Sequence, residues 1–263
     1  MKIIRNPITR QELVDRYTSN YPNMTKAVVD VERRIMAVDA EWHVDLEAML
    51  LDDGSAQRNL WGINLQLIRS PEEFIVYESL INIRPAQHNF QMEVMDEGVR
   101  AELKSVVDAL VDYGQTPVMR EPAAAYGKPA DTAKPVGFRQ HKQLTMDKWR
   151  SFPQYKRVLM TANEIGRARA NIGFNSTDGA CDCWERALEL FQITIDAAQI
   201  ENAPHPFIHG LLRLRERVAR LYVEKRLDAE ENARLYDELI ALDPKAWEML
   251  HPVASRASAT GLQ

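Results

Sequence analysis

Hydrophobic and polar positions alternate most strictly over Glu41-Trp42-His43-Val44-Asp45-Leu46-Glu47-Ala48. Side chains on a strand point to opposite faces in turn, so the alternation predicts a strand over 41–51. Trp42, Val44, Leu46 and Ala48 would form its apolar face; Glu41, His43, Asp45 and Glu47 would form an ionisable one. Asp52-Asp53-Gly54-Ser55 then reads as a hairpin turn. A second amphipathic strand is predicted over 61–68, with Trp61, Ile63, Leu65 and Leu67 on one face and Asn64 and Gln66 on the other. Phe74 to Arg84 has apolar residues on both faces and predicts a third, covered strand. Lys2 to Arg5 is a short strand candidate.

Helical spacing brackets these strands. Thr9 and Glu12 form a capping box that opens a helix through about Tyr17. Ala27, Val28, Val31, Ile35 and Val38 fit a helical stripe and predict a helix over 24–38, although the β-branched valines also suit a strand. Val99, Leu103, Val106, Val107 and Leu110 predict a helix over 96–113. Together these give an α+β domain over 1–113, a mainly antiparallel sheet with helices on one face. Residues 114–144 carry Pro117, Pro122, Pro129 and Pro135 and three glycines, the composition of a linker. From 145 to 252 the spacing is helical throughout with short connections, which predicts an all-α antiparallel helical bundle. Residues 253–263 have no periodicity and read as a flexible tail.

Bulk composition narrows the class. Of 263 residues, 45% are hydrophobic and 27% charged, as in a soluble globular protein. No apolar run has the length of a membrane span, and the N-terminus carries no signal-peptide core. Cys181 and Cys183 are the only cysteines, too few for a disulfide framework, so a cytoplasmic location is expected. The net charge of −5 gives no nucleic-acid footprint. The charge is uneven: residues 1–113 hold 12 Lys and Arg against 19 Asp and Glu.

Candidate chemistry gathers on the ionisable face. Alternate side chains on a strand lie about 7 Å apart, close enough for long ones to share a ligand. Glu41, His43, Asp45 and Glu47, with Asn64 on the second strand and Asn82 and Arg84 on the third, form a candidate binding row. His43, Asp45 and Glu47 have the donor types of a divalent-metal site. The competing reading is the wet side of a half-solvated sheet. Arg84-Pro85 with Gln87 and Asn89 is either a ligand loop or a turn. Cys181-x-Cys183 lacks the second pair of a structural zinc site, and His205 and His209, at helical spacing, lack further ligands. Arg213, Arg217 and Arg220 share a helix face, with Glu216 four residues before Arg220, as on a solvated surface. There is no Rossmann or P-loop fingerprint, and no cofactor is implied.

Several of these segments also carry a resemblance. Lys26-Ala27-Val28-Val29-Asp30-Val31-Glu32-Arg33, Glu41-x-His43-x-Asp45-x-Glu47, Asp53-Gly54-Ser55, Trp61-Gly62-x-Asn64 and Ile81-Asn82-Ile83-Arg84-Pro85-x-Gln87-x-Asn89 resemble a small prokaryotic domain family of unknown function. The resemblance covers residues 1 to about 112 and implies no activity. It departs at Asp39-Ala40, where the family prefers glycines, and at Ala86 and His88, where it uses small residues. The helical half resembles only uncharacterised bacterial helical segments. The expectation is a two-domain binding or regulatory protein that meets a protein partner, or another copy of itself, through the bundle. The alternative is a metal-assisted hydrolase using His43, Asp45 and Glu47.

Overall fold

The computed structural model describes residues 1–114 and 146–251, which form two compact units. The architecture is α+β, an antiparallel sheet with helices followed by a helical region. The first unit holds Met1–Leu50, Asn59–Asn82 and residues 92–114; the second holds Leu51–Arg58, Ile83–Gln91 and residues 146–251. The stretch 115–144 and the tail 253–263 lie outside the described residues.

Up to residue 114 the elements are β1 (Lys2–Ile4), β2 (Ile8–Thr9), α1 (Arg10–Arg16), β3 (Met24–Asp30), β4 (Ile35–Val38), α2 (His43–Asp52), β5 (Leu60–Gln66), β6 (Ile75–Val76), α3 (Glu97–Leu110) and β7 (Val111–Asp112). The main sheet runs β1-β4-β3-β5-β6, all neighbours antiparallel, while β2 and β7 make a short parallel pair. Ala27 pairs with Val38 on one side and Ile63 on the other, so β3 is central. Ala27, Val29, Met36, Val38, Ile63 and Leu65 form one sheet face and share a core with Leu13 of α1 and Leu103, Val106 and Val107 of α3. The N-cap bond of the expected capping box forms: Thr9 Oγ1 accepts from the Glu12 backbone N–H at 3.1 Å.

Three expected elements are corrected. Residues 24–38 are a hairpin, not a helix. Asp30 Oδ1 accepts from the backbone N–H groups of Glu32 and Arg33, both at 3.0 Å, and Arg34 turns the chain at φ 54°. This side-chain-capped turn lets Val28 and Val29 take the pleated backbone that β-branched residues favour. Residues 43–52 are a helix, not a strand. Its buried positions, Val44, Leu46, Glu47, Leu50 and Leu51, recur at three and four residues. Asp45 lies in its first turn, where a carboxylate favours the helix dipole. Gly54, at φ 91°, donates its N–H to the Leu51 carbonyl, so Asp53-Gly54 ends a helix and does not make a hairpin. Of the third predicted strand only Ile75–Val76 pairs as β6; Leu80–Asn82 is a 3-10 turn.

The second unit contains α4 (Met146–Arg150), α5 (Gln154–Gly173), α6 (Thr177–Ile200), α7 (His205–Glu224), α8 (Ala229–Ala241) and α9 (Pro244–Leu250). Ser176, Asp228 and Asp243 cap α6, α8 and α9 through side-chain oxygens. Trp184 is fully buried and donates from Nε1 to Asn232 Oδ1 at 3.0 Å. Among the described residues no helix is long and apolar enough to cross a membrane.

Candidate functional site

The predicted row does not form. A helix turns about 100° per residue, so His43 and Glu47 share a side of α2 while Asp45 points about 200° away from both. His43 and Glu47 are buried, Asp45 is half-buried, and Glu41 precedes the helix and is exposed. His43 Nε2 lies 2.9 Å from the Ile63 carbonyl oxygen, which only accepts, so Nε2 carries the proton. Burial pushes the His43 pKa down to about 4; the Ile63 carbonyl opposes the shift and the Lys26 charge adds to it. His43 is therefore a neutral clamp between α2 and β5. Above it, Lys26 donates to the Glu41 carbonyl at 2.7 Å and lies over the rings of Tyr21 and Trp42.

The remaining row members are placed separately. Asn64 donates from Nδ2 to the Glu78 carbonyl at 2.9 Å. Asn82, fully buried, accepts from Gly62 N–H at 2.8 Å and donates to the carbonyls of Gly62 at 2.9 Å and Met92 at 3.0 Å. Its amide thus stands in for a neighbouring strand beside β5. The approach is close enough that a Cβ on Gly62 would lie 2.6 Å from Ser79 Cβ. Arg84 belongs to the second unit. Among the described residues no group of three or more His, Cys, Asp or Glu side chains is placed to hold a metal ion, the trio His43, Asp45 and Glu47 included.

A different polar centre stands in the second unit. Arg84 and Asn89 exchange backbone hydrogen bonds at 2.7 and 3.1 Å around Pro85–Gln87, with His88 left-handed at φ 60°. That closed loop buries the Arg84 guanidinium, which donates to the Gln57 carbonyl at 2.8 Å. On α6, Gln192, Asp196 and Gln199 recur at four and three residues and so share one stripe. Gln192 donates to Gln87 Oε1 at 2.7 Å, and Gln87 donates to the Arg58 carbonyl at 3.0 Å. Gln199 donates to the Ser55 carbonyl at 3.0 Å and accepts from Gln57 N–H at 3.3 Å.

Asp196 lies between Gln192 and Gln199 on that stripe. Burial raises its pKa, against the lowering pull of Arg150, Arg84, Arg58 and Arg215. Arg150 Nη2 is 4.0 Å from Asp196 Oδ2. Arg84 and Arg215 are buried, while Arg58 and Arg150 are exposed. Arginines thus gather about Asp196, and Arg58 and Arg150 carry their positive charge to solvent. Guanidinium forks match carboxylate and phosphate groups in shape and charge, so the chemistry of the place is recognition of anions. Gln192 Oε1 is buried there and, among the described residues, has no hydrogen-bond partner.

Sequence reasoning singled out Arg84 and Gln87 but missed Gln57, Arg58, Arg150, Gln192, Asp196, Gln199 and Arg215. One signal was present: Gln192 and Asp196 interrupt the apolar run Phe191 to Ala198 on one stripe. Elsewhere in the same unit His205 and His209 meet a carboxylate that spacing did not reveal, Asp52 Oδ1, at 3.0 and 2.9 Å. Arg217 pairs with Glu231 and Glu238, and Arg220 with Glu216, which is buried rather than on a solvated face. Cys183 is buried and Cys181 half-buried on α6, both unoxidised. No curated protein and no solved structure matches the chain. Residues 2–110 match the family described as protein of unknown function, DUF5674.

Proposed function

We propose that the protein is a binding or regulatory module that works in the cytoplasm through protein–protein contacts. An acidic segment of the partner docks at the arginine cluster around Asp196. One observation carries this: arginines gather about Asp196, Arg150 at 4.0 Å, and two of them, Arg58 and Arg150, are exposed. Clustered arginines are a recurrent device for acidic-motif recognition, and exposed positive charge steers a negative partner toward the site. The two free thiols suit a reducing compartment. The hydrolase alternative draws no support from the placement of His43, Asp45 and Glu47, because helix geometry turns Asp45 away from the other two.

Titration calorimetry with a polyglutamate peptide tests the reading. The expected result is binding that weakens between about 0.05 and 0.5 M salt, as screening demands, and that R58E/R150E abolishes. Absent binding, or equal binding by wild type and R58E/R150E, would overturn it.

A further inference from the structure

The parallel pairing of β2 with β7 sets Ile8 beside Val111 and Thr9 beside Asp112, so the next residues, Arg10 and Tyr113, leave the two strands side by side. Phe74, just before β6, completes the group. Its ring meets that of Tyr113 edge to face, with centroids 5.0 Å apart. The Arg10 guanidinium lies over both rings, 5.5 Å from the Phe74 centroid and 5.4 Å from the Tyr113 centroid. Arg10 is only 7% exposed. Among the described residues its side chain makes no ion pair and no hydrogen bond, and Nε is sealed from solvent without a partner. Arg84 and Arg157, also buried, differ in this respect: each donates to backbone carbonyls.

The groups beside Arg10 do not neutralise it. Asp108 accepts from the Tyr113 hydroxyl at 2.7 Å and pairs with Lys104 at 2.6 Å. Burial first, then the bond to Asp108, raises the Tyr113 pKa, so the phenol stays uncharged. A buried cation gives up its hydration and needs acceptors or an anion in return; two aromatic rings replace only part of that. The open edge of a guanidinium presents two parallel N–H donors, which match the two oxygens of a carboxylate. Leu13 and Phe74, both fully buried, make the surroundings apolar. There a single negative charge balances Arg10, whereas a phosphate dianion would bring in a charge with no partner. Ring faces and edges suit an apolar body beside the carboxylate. We propose that Arg10, Phe74 and Tyr113 form a binding site for a small monocarboxylate with an apolar body. The site belongs to the first unit and does not rest on the binding reading above.

Titration calorimetry and thermal melts of the whole chain with benzoate test it. Benzoate at about 10 mM is expected to bind wild type and to raise its Tm, as a ligand of the folded state must. Neutral benzamide and inorganic phosphate, at the same concentration and ionic strength, are expected to do neither. R10M removes the guanidinium and keeps an apolar stem, and is expected to abolish the benzoate shift. R10K keeps the charge without the fork and is expected to weaken binding about tenfold. Should R10M fail to fold, R10K carries the comparison. No binding of benzoate, equal binding by either variant, or binding of benzamide or phosphate as tight as that of benzoate would overturn the inference.

Discussion

At the scale of single residues, Asn82 and His43 act as braces for β5. Asn82 satisfies both the N–H and the C=O of Gly62, and the carbonyl of Met92. Asn82→Ala leaves those buried groups bare and is expected to cost about 3 kcal/mol in urea denaturation, at 1–3 kcal/mol per orphaned group with partial relaxation. Gly62→Ala forces a Cβ against Ser79 and Ile81 and is expected to cost about 1–3 kcal/mol as overpacking. His43 makes a prediction in pH. Its folded pKa of about 4 lies below the unfolded 6.5. Above pH 6.5 both states are neutral and its contribution is complete. As pH falls through 6.5 toward 4 the unfolded state takes up the proton first, so stability is lost across that window. Between pH 7 and pH 5 this amounts to about 2 kcal/mol. Denaturation of H43Q at the two pH values should show a loss smaller by that amount; an unchanged loss would mean that His43 is not buried neutral.

At the scale of elements, α2 shows why a pattern misleads. Eight residues of perfect alternation look like a strand, yet Leu50 and Leu51 beyond them complete helical spacing with Val44, Leu46 and Glu47. Trp42 precedes the helix and Leu46 lies within it, whereas a strand would bury the two together. Trp42 is 40% exposed and Leu46 fully buried. Leu46→Ala is expected to cost about 2–5 kcal/mol. Trp42→Ala, which forfeits an exposed cation–π contact with Lys26, is expected to cost about 1 kcal/mol or less; similar large losses from both would restore the strand. Elements with a local signal were legible in the sequence: α1 through its capping box, β5 through alternation, and α3 and α5 to α9 through sustained helical spacing. The β3–β4 hairpin was hidden because its turn is made by Asp30 and Arg34, without the glycine or proline that marks most turns. The third strand dissolved because the Asn82 amide replaces its ladder. Arg84 was visible as a candidate, but its setting was not. Gln87 and Gln192 are 105 positions apart, and periodicity carries no record of pairing at that range.

At the scale of the whole molecule, sequence order and spatial units differ. Leu51–Arg58 and Ile83–Gln91 belong with residues 146–251. They supply groups that bond Gln192 and Gln199 on α6, and Asp52 supplies the carboxylate that His205 and His209 share on α7. A fragment of residues 146–263 keeps every helix of the second unit but loses those partners. Each buried amide left without a partner costs about 1–3 kcal/mol, and several at once exceed what a small unit of marginal stability withstands. The fragment is therefore expected to melt well below the whole chain. Loss of amide protection in hydrogen exchange should concentrate in the second half of α6, around Gln192 to Gln199, while α5 and α8 retain theirs longer. A fragment that melts and exchanges like the intact protein would show that the two segments lend the helices nothing. The arginine cluster would then have to assemble from Arg150 and Arg215 alone, and an isolated helical fragment should bind polyglutamate as well as the full chain. The opposite result, a fragment that folds weakly and does not bind, would tie the anion site to the segments that bring Arg58 and Arg84.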